Sequence, residues 1–525
     1  MDITGWAKRH AVVLFFAALF AALGICNMPS FGDPPRSDHL SILYHFHQID
    51  GRPGAWLQVL NYDPWTQARY YPFAILSTYI AFLILGSNAV LLHTVNLAVY
   101  CCLLVLLYRM AMFVRPGRVA ACVFVAVYAF LYSHSDLITW SLHTYIIAGF
   151  CLCLCGFFSY MRYMRTGNAV WIAASCVSFI AGLFCYETFV FWPAAVIILS
   201  GIGRLYEGRV SSRAAKVLSC LSVLAPVYAL YAAGWFLTRA LGSYPASLVD
   251  VSDIFAVPSL VKSAAGSLFT LAHNAFFVNS FPFAAYPARF DDQVFEMAGL
   301  FVRYAEYPDR ALIAGAAVGA LAATVILRRI AAGRRRGMAL VCLFILYLLV
   351  SEHTVLFATR TLTNPWLFVV SQFRYQFIPS AIAGLLLLCI LPLPCCVSKA
   401  AKVTAVSILV FIIVSNAYCG IRSSLHVHRE LAPLRQLIGR ISSLAARGTL
   451  SEKNRVYMDD EVVRHLPALC WNERMGNAFM ERTYQWVFDR RQIRVFAWSK
   501  SDAMYIVDPR SRNIIKNPEY ENNSY

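Results

Sequence analysis

The sequence predicts a polytopic α-helical membrane protein, and three properties of the chain indicate it. Of its 525 residues, 59% are hydrophobic and only 14% are charged, whereas a soluble chain is about 25% charged. The apolar residues form blocks near the bilayer-spanning length of about 20 residues, longer than the strands of a membrane barrel. Basic residues lie between alternate blocks. An ordinary soluble enzyme, a disordered chain and a secreted disulfide scaffold are therefore excluded.

Eleven apolar blocks are predicted to span the membrane. The first follows Trp6, Lys8 and Arg9, and no small-residue cleavage site follows Cys26, so we interpret it as an anchor and not as a signal peptide. The predicted spans are residues 11–26, 88–108, 119–132, 141–160, 170–185, 188–203, 217–237, 311–327, 338–351, 376–392 and 403–420.

The basic residues predict the orientation of these spans. With the N-terminus in the cytoplasm, the cytoplasmic loops carry most of the basic clusters of the membrane part, as the positive-inside rule requires. The densest run, which we interpret as topological and not as a nucleic-acid site, is Arg328, Arg329, Arg334, Arg335 and Arg336. Two long loops, 27–87 and 238–310, and the tail then lie on the outer face. Apolar stretches 71–86 and 258–278 are predicted to be interfacial helices, since counting either as a span would invert every later loop.

Two domains are predicted. Residues 1–420 form the membrane domain, and residues 421–525 form a small α/β domain on the outer face, because about 100 residues suffice for a small core. In that tail we expect a helix over 425–446 and strands at 455–458, 485–488, 493–497 and 503–507. The 16 cysteines lie almost entirely in apolar blocks and show no metal-binding spacing, so we interpret them as small apolar residues.

The acidic residues of the membrane part gather at the outer face, and the first outer loop supplies two of them. Asp33 and Asp38 flank the Pro34-Pro35 turn directly after the first span. A carboxylate held there is suited to accept a proton from a hydroxyl or to hold a divalent cation. A solvated loop that uses Asp as a turn former is the alternative.

Three other outer segments carry ionisable groups. The second outer turn contains His134 and Asp136, and the third contains Glu187. Charged groups at membrane depth are costly and are therefore functional candidates, although a helix cap would also explain either acid. Arg374, at the start of the tenth span, and Arg360, in the loop before it, are placed to bind a lipid phosphate or to extend towards the interface.

Five short stretches, taken in order along the chain, resemble known sequence motifs. Residues 70–77 (Y-Y-P-F-A-I-L-S) resemble a Y-R-P-L stretch leading to L-S, with Tyr71 in place of the arginine. Residues 93–96, which include His93, resemble H-L-V-N, and His134, Asp136 and Trp140 keep a His-x-acid-x-x-x-Trp spacing. Residues 186–188 resemble K-E-T with the lysine lost, and residues 374–380 resemble R-Y-L-Y-L-P-S. Together they resemble the GT-C superfamily of membrane glycosyltransferases, especially bacterial relatives of the protein O-mannosyltransferases. The resemblance covers roughly residues 1–400 and leaves out the tail.

The resemblance implies a hexosyltransferase of the bacterial inner membrane. It would transfer a sugar, with inversion, from a polyprenyl-phosphate donor to a lipid, glycan or protein acceptor, with no role for nucleic acid. Asp38 is then the expected base, with Asp33 as its rival, and a divalent cation stays an open cofactor. The implied phosphate-binding residues are Arg374, His134 and Arg360, and the implied substrate-orienting residues are Asp136, Glu187 and His93.

Other function classes remain as alternatives. A transporter or flippase of a lipid-linked glycan should show internal repeats and acids at mid-membrane, and the sequence shows neither. An O-antigen polymerase or ligase would also keep polar groups outside, but it explains the early acidic loop less well. A noncatalytic membrane scaffold is the third alternative, because a fold resemblance does not fix a function.

Overall fold

The structure, a computed structural model, describes most of the helical part of the chain and part of the tail. The described residues are 3–33, 39, 42, 46, 49, 54–60, 71–85, 88–131, 134–202, 212–241, 324, 336–360, 373–390, 399–451, 453–457, 500–508, 511 and 513–522. For some helical residues, among them Asp136, Arg360 and Arg374, the description covers the backbone only.

The membrane part is built of α-helices, as the composition predicts. The helices are α1 Ile3–Asn27, α2 Ala55–Leu60, α3 Pro72–Leu85, α4 Ala89–Val114, α5 Arg118–Ala129, α6 Ser135–Thr139, α7 Thr144–Thr166, α8 Val170–Cys185, α9 Val196–Ile202, α10 Arg213–Leu241, α11 Arg336–Arg360, α12 Phe373–Ile390 and α13 Lys399–Glu430. Short 3-10 helices occur at Met28–Ser30, Ser141–His143 and Glu187–Ala195.

Among the described residues, five helices are long and apolar enough to cross a membrane: His10–Ser30, Ala89–Val114, Ser141–Thr166, Ala214–Leu237 and Val403–Arg429. Large apolar side chains on α13, such as Val403 and Val414, are exposed on its outer surface, which suits contact with lipid. Shorter apolar helices lie between them. The described part of the chain therefore fits a helical membrane protein.

The predicted spans and the helices agree in position but not always in their ends. Each predicted span contains a described helix, except 311–327, which lies outside the described residues apart from Thr324. Helix α11 continues to Arg360, beyond the predicted end at 351, because no Gly or Pro interrupts it. The interfacial helix predicted at 71–86 corresponds to α3, and the one predicted at 258–278 lies outside the described residues.

Helices α7 and α8 pack closely against each other. Gly167, in the left-handed conformation that suits glycine, ends α7 and its N–H donates to the Tyr163 carbonyl. Gly149 on α7 and Gly182 on α8 let the backbones approach, because a methyl group at Gly182 would lie only 2.6 Å from Cys153 Sγ. Small residues at such contacts are the usual device for tight helix packing in membranes.

The described tail combines two helices with a three-stranded sheet. Helix α14, Ala432–Ala446, buries Leu434, Leu437 and Ile441. Strand β1, Val456–Tyr457, runs parallel to β2, Tyr505–Val507, and β2 pairs antiparallel with β3, Ile514–Lys516. Helix α15, Pro518–Asn522, follows. Strands β1 and β2 fall where they are predicted, whereas the strands predicted at 485–488 and 493–497 lie outside the described residues and β3 was not predicted.

The predicted helix over 425–446 is divided in the structure. Its first part belongs to α13, which continues without a break from the last apolar block to Glu430, and its second part is α14. The division falls just before Pro433, which has no N–H to continue the hydrogen-bond pattern and disfavours a helical residue before it. The predicted domain boundary at 420 thus falls inside one continuous helix.

Candidate functional site

Asp33 is buried where the first loop leaves α1. The turn around it is fixed locally: Asn27 donates to the Leu23 carbonyl, Ser30 to the Asn27 carbonyl, and the Asp33 N–H to the Ser30 carbonyl. The Asp33 carboxylate, 2% exposed, accepts a hydrogen bond from the Arg435 guanidinium and lies 2.8 Å from His428 Nδ1. The end of α13 and the start of α14 therefore lie against the start of the first loop.

His93 joins the same region from α4. Its ring is buried, its Nε2 lies 3.4 Å from the backbone oxygen of Asp33, and it stacks on Phe31 with the ring planes 4° apart. Asn88 caps α4, since its side chain accepts a hydrogen bond from the Leu91 N–H. The predicted site residues Asp33 and His93 are thus brought together.

His39, the residue after Asp38, is buried in contact with the second turn. Its Nδ1 lies 3.3 Å from the Ser141 hydroxyl, and His93 and His143 are close enough to interact with it electrostatically. Burial, followed by the repulsion of these two imidazoles, lowers the pKa of His39 to about 3. Its imidazole is therefore neutral near pH 7. We call Asp33, His39, His93 and His143 the loop cluster.

Asn96 fixes the backbone of the second turn. Its side-chain amide donates to the carbonyls of Leu137 and Ile138, each at 2.8 Å, and its oxygen accepts from the Thr144 hydroxyl at 3.0 Å. The amide thereby supports α6, the short helix on which Asp136 lies. The Asp136 side chain is outside the described part, so its predicted orienting role stays a prediction.

His134, directly before α6 in the same turn, is fully buried among the helices. Its Nδ1 is 2.9 Å from the Tyr100 hydroxyl, and the rings of Tyr128 and Phe377 flank it at 4.4 and 4.9 Å. Burial lowers the pKa of His134 to about 3, so the ring is neutral near pH 7. The Tyr128 hydroxyl also donates to the Phe377 carbonyl. His134 therefore contacts the first turns of α12, the helix on which Arg374 lies.

Glu187 begins the 3-10 helix that follows α8, and it lies near a second carboxyl group. Glu352 on α11 is buried beside the side chains of Thr188 and Trp192, and Glu187 is close enough to affect it electrostatically. The helix Glu187–Ala195 packs directly against α11. Two acids from distant parts of the chain are thus brought together.

The other predicted site residues are placed only in part. Asp38 lies outside the described residues, between Asp33 and His39. Arg374 lies in the first turn of α12. Arg360 is the last residue of α11 and therefore lies in a helix and not in the predicted loop. The structure describes only the backbone of these two residues. Tyr71 is buried and stacks on Tyr145.

Several residues of the site region were not predicted from the sequence. Glu352 had a local signal, because an acid at the end of an apolar block is unusual. His39 and His143 adjoin predicted positions, but an isolated histidine carries little information. His428 and Arg435 gave no signal, since they contact Asp33 from 395 and 402 positions away.

The described residues contain no group of three or more His, Cys, Asp or Glu side chains arranged to hold a metal ion. Asp38 lies outside these residues. No protein-family model and no curated protein sequence matches this chain.

Proposed function

We propose that the chain is a membrane glycosyltransferase that uses a polyprenyl-phosphate sugar as donor. One observation carries the proposal: the residues on both sides of Asp38 are anchored. Asp33 is held by Arg435 and His428, and His39 is buried against Ser141. Asp33 and His39, which bracket residues 34–38, are thus both held at the loop cluster, and we propose that this positions Asp38 as a catalytic carboxylate requires.

The proposal includes a topology of eleven spans with a cytoplasmic N-terminus and a periplasmic tail, in the bacterial inner membrane. The contacts support a common face for the predicted outer segments. Asp33 of the first loop meets Arg435 of the tail, and His39 of that loop meets Ser141 after the second turn. These segments could not make such contacts from opposite sides of a bilayer.

The reaction we propose is a direct, inverting displacement. An acceptor hydroxyl oxygen attacks the anomeric carbon of the sugar while its proton passes to the Asp38 carboxylate. The bond between that carbon and the phosphate oxygen breaks, and its electron pair leaves with the polyprenyl phosphate. The leaving group is already a stable anion, so alignment of the reactants and stabilisation of the phosphate charge are the main demands.

Of the two acids in the first loop, we assign the base to Asp38. The Asp33 carboxylate interacts with a guanidinium and an imidazole, and a nearby positive charge makes a carboxylate a poorer proton acceptor. In this proposal Arg374 binds the donor phosphate, with Arg360 nearby and His134 supporting the first turns of α12. Asp136, Glu187 and His93 orient hydroxyl groups of the acceptor or the sugar.

The test is transfer of radiolabelled sugar from membrane polyprenyl-phosphate donors. Asp38→Asn, at matched expression, should lower the rate by about 10²- to 10⁴-fold, the usual contribution of a general base. Asp33→Asn should retain measurable transfer, and Asp50→Asn, in the same loop, serves as the matched control. Unchanged transfer in Asp38→Asn, or none in the wild type with every donor tested, would overturn the proposal in favour of a transporter or scaffold.

A further inference from the structure

The contact between Asp33 and the tail is unusual in both burial and sequence separation. The Asp33 side chain is almost fully buried, whereas the Arg435 and His428 side chains are 23% and 37% exposed. A buried carboxylate is costly unless charged or hydrogen-bonding groups compensate it. The described residues that interact with this carboxylate include two from the tail, so the tail contributes to the charge balance at the start of the first loop.

The two partners of Asp33 lie on helices. His428 lies in the last turn of α13, which packs against α1 and against the 3-10 helix Met28–Ser30. Arg435 lies in the first turn of α14, where the Arg435 N–H donates to the Leu431 carbonyl. Because both donors are on helices and Asp33 is in a hydrogen-bonded turn, the contact fixes the direction in which the loop leaves α1.

We infer that Arg435 and His428 are positioning residues for the first outer loop. The C-terminal segment is then an integral part of the proposed active site. This inference rests on the proposed function for its effect on transfer, but not for the contact itself. Arg435 acts through Asp33: it holds the start of the loop, and the loop in turn carries Asp38 and the buried His39. The tail thereby acquires a function that its own sequence does not indicate.

The experiment is a double-mutant cycle in the full-length protein with Asp33→Asn, Arg435→Gln and the two combined. Each single change should lower kcat by about 10- to 100-fold, the range expected when a catalytic group is displaced by about an ångström. KM for the donor should change by less than about threefold, since donor binding is retained. The double variant should be no worse than the poorer single variant, because the two residues act as one unit.

The matched control is Arg440→Gln. Arg440 lies on the same helix, but its guanidinium donates to Asn513 within the tail, so its loss should leave kcat unchanged. Arg435→Lys should restore part of the rate, because the ammonium keeps the charge but not the geometry of the guanidinium. Equal effects of Arg435→Gln and Arg440→Gln, or multiplicative effects in the cycle, would overturn the inference.

Hydrogen exchange of the backbone amides from 27 to 33 tests the contact without any activity. Exchange should rise in Arg435→Gln and not in Arg440→Gln, since only the first variant frees the turn. If the wild type transfers no sugar, the proposed function fails while this result still decides the contact. If exchange at these amides is the same in both variants, the positioning role is wrong whatever the activity.

Discussion

The side-chain amide of Asn96 donates to the backbone carbonyl of Leu137 across 2.8 Å, although the two residues are 41 positions apart. The same amide also donates to the Ile138 carbonyl, and its oxygen accepts a hydrogen bond from the Thr144 hydroxyl. A single fully buried side chain thus satisfies the main chain of the short helix that carries Asp136. This arrangement makes Asn96 a structural support of the second turn.

Replacement of Asn96 by Leu should therefore strongly destabilise the fold. It leaves two buried carbonyls without their donor, and the expected loss in free energy of unfolding is about 2–4 kcal/mol. Thermal unfolding in detergent measures this loss, and sugar transfer should fall with it if α6 helps to form the site. Thr94→Val, which removes an exposed hydrogen bond on the same helix, should change stability by less than about 0.5 kcal/mol. Equal effects of the two changes would contradict the structural role of Asn96.

Local sequence patterns were sufficient to predict most of the helical part. Apolar blocks predicted where helices lie because a membrane helix is defined by length and hydropathy. Their ends were less predictable: α11 and α13 continue through polar residues to Arg360 and Glu430, since nothing in those stretches stops a helix. The eleven-span count and the orientation stay predictions.

The site residues could be predicted only where ionisable residues stand out in the local sequence. Asp33, His134 and Glu187 were recognisable as polar residues beside apolar blocks, whereas His93 was indicated only by the family resemblance. The structure brings Asp33 to His93. The partners Arg435 and Glu352 were not predicted, because each meets its site through packing between distant segments. Such contacts depend on the arrangement of the helices and leave no periodic pattern in a single sequence.

Stability should depend on pH through His39. In the fold its pKa is lowered to about 3, whereas an imidazole in water has its ordinary value of 6.5. Stability from keeping this ring neutral is therefore fully present above about pH 6.5 and is lost as the pH falls towards 3. Between pH 7 and pH 5 the loss should approach about 2 kcal/mol for the group.

The pH dependence can be assigned by comparing variants. The difference in thermal midpoint between pH 7 and pH 5 should be smaller in His39→Gln than in the wild type, because glutamine does not titrate. A His39→Gln variant with the full wild-type dependence would show that His39 is not responsible.

The close contact of α7 and α8 should not tolerate even one added methyl group. In Gly182→Ala the new carbon would meet Cys153 Sγ at 2.6 Å and the Gly149 carbonyl oxygen at 3.2 Å. The carbonyl oxygen belongs to the backbone and cannot turn aside as a flexible side chain would, so the two helices must move apart by a few tenths of an ångström. The expected cost is about 1–3 kcal/mol, as for other overpacked cores.

Gly24→Ala on α1 is the matched control for this change, since nothing lies within 4 Å of a methyl group there. Alanine has the higher helix propensity, so this variant should be neutral or slightly stabilised, by up to about 1 kcal/mol. Thermal unfolding of the two variants in the same detergent gives the comparison. Because Glu187 follows the end of α8 by two positions, separation of the helices should also move that carboxyl group away from Glu352. If Gly182→Ala unfolds at the wild-type temperature, the close packing of α7 and α8 is wrong.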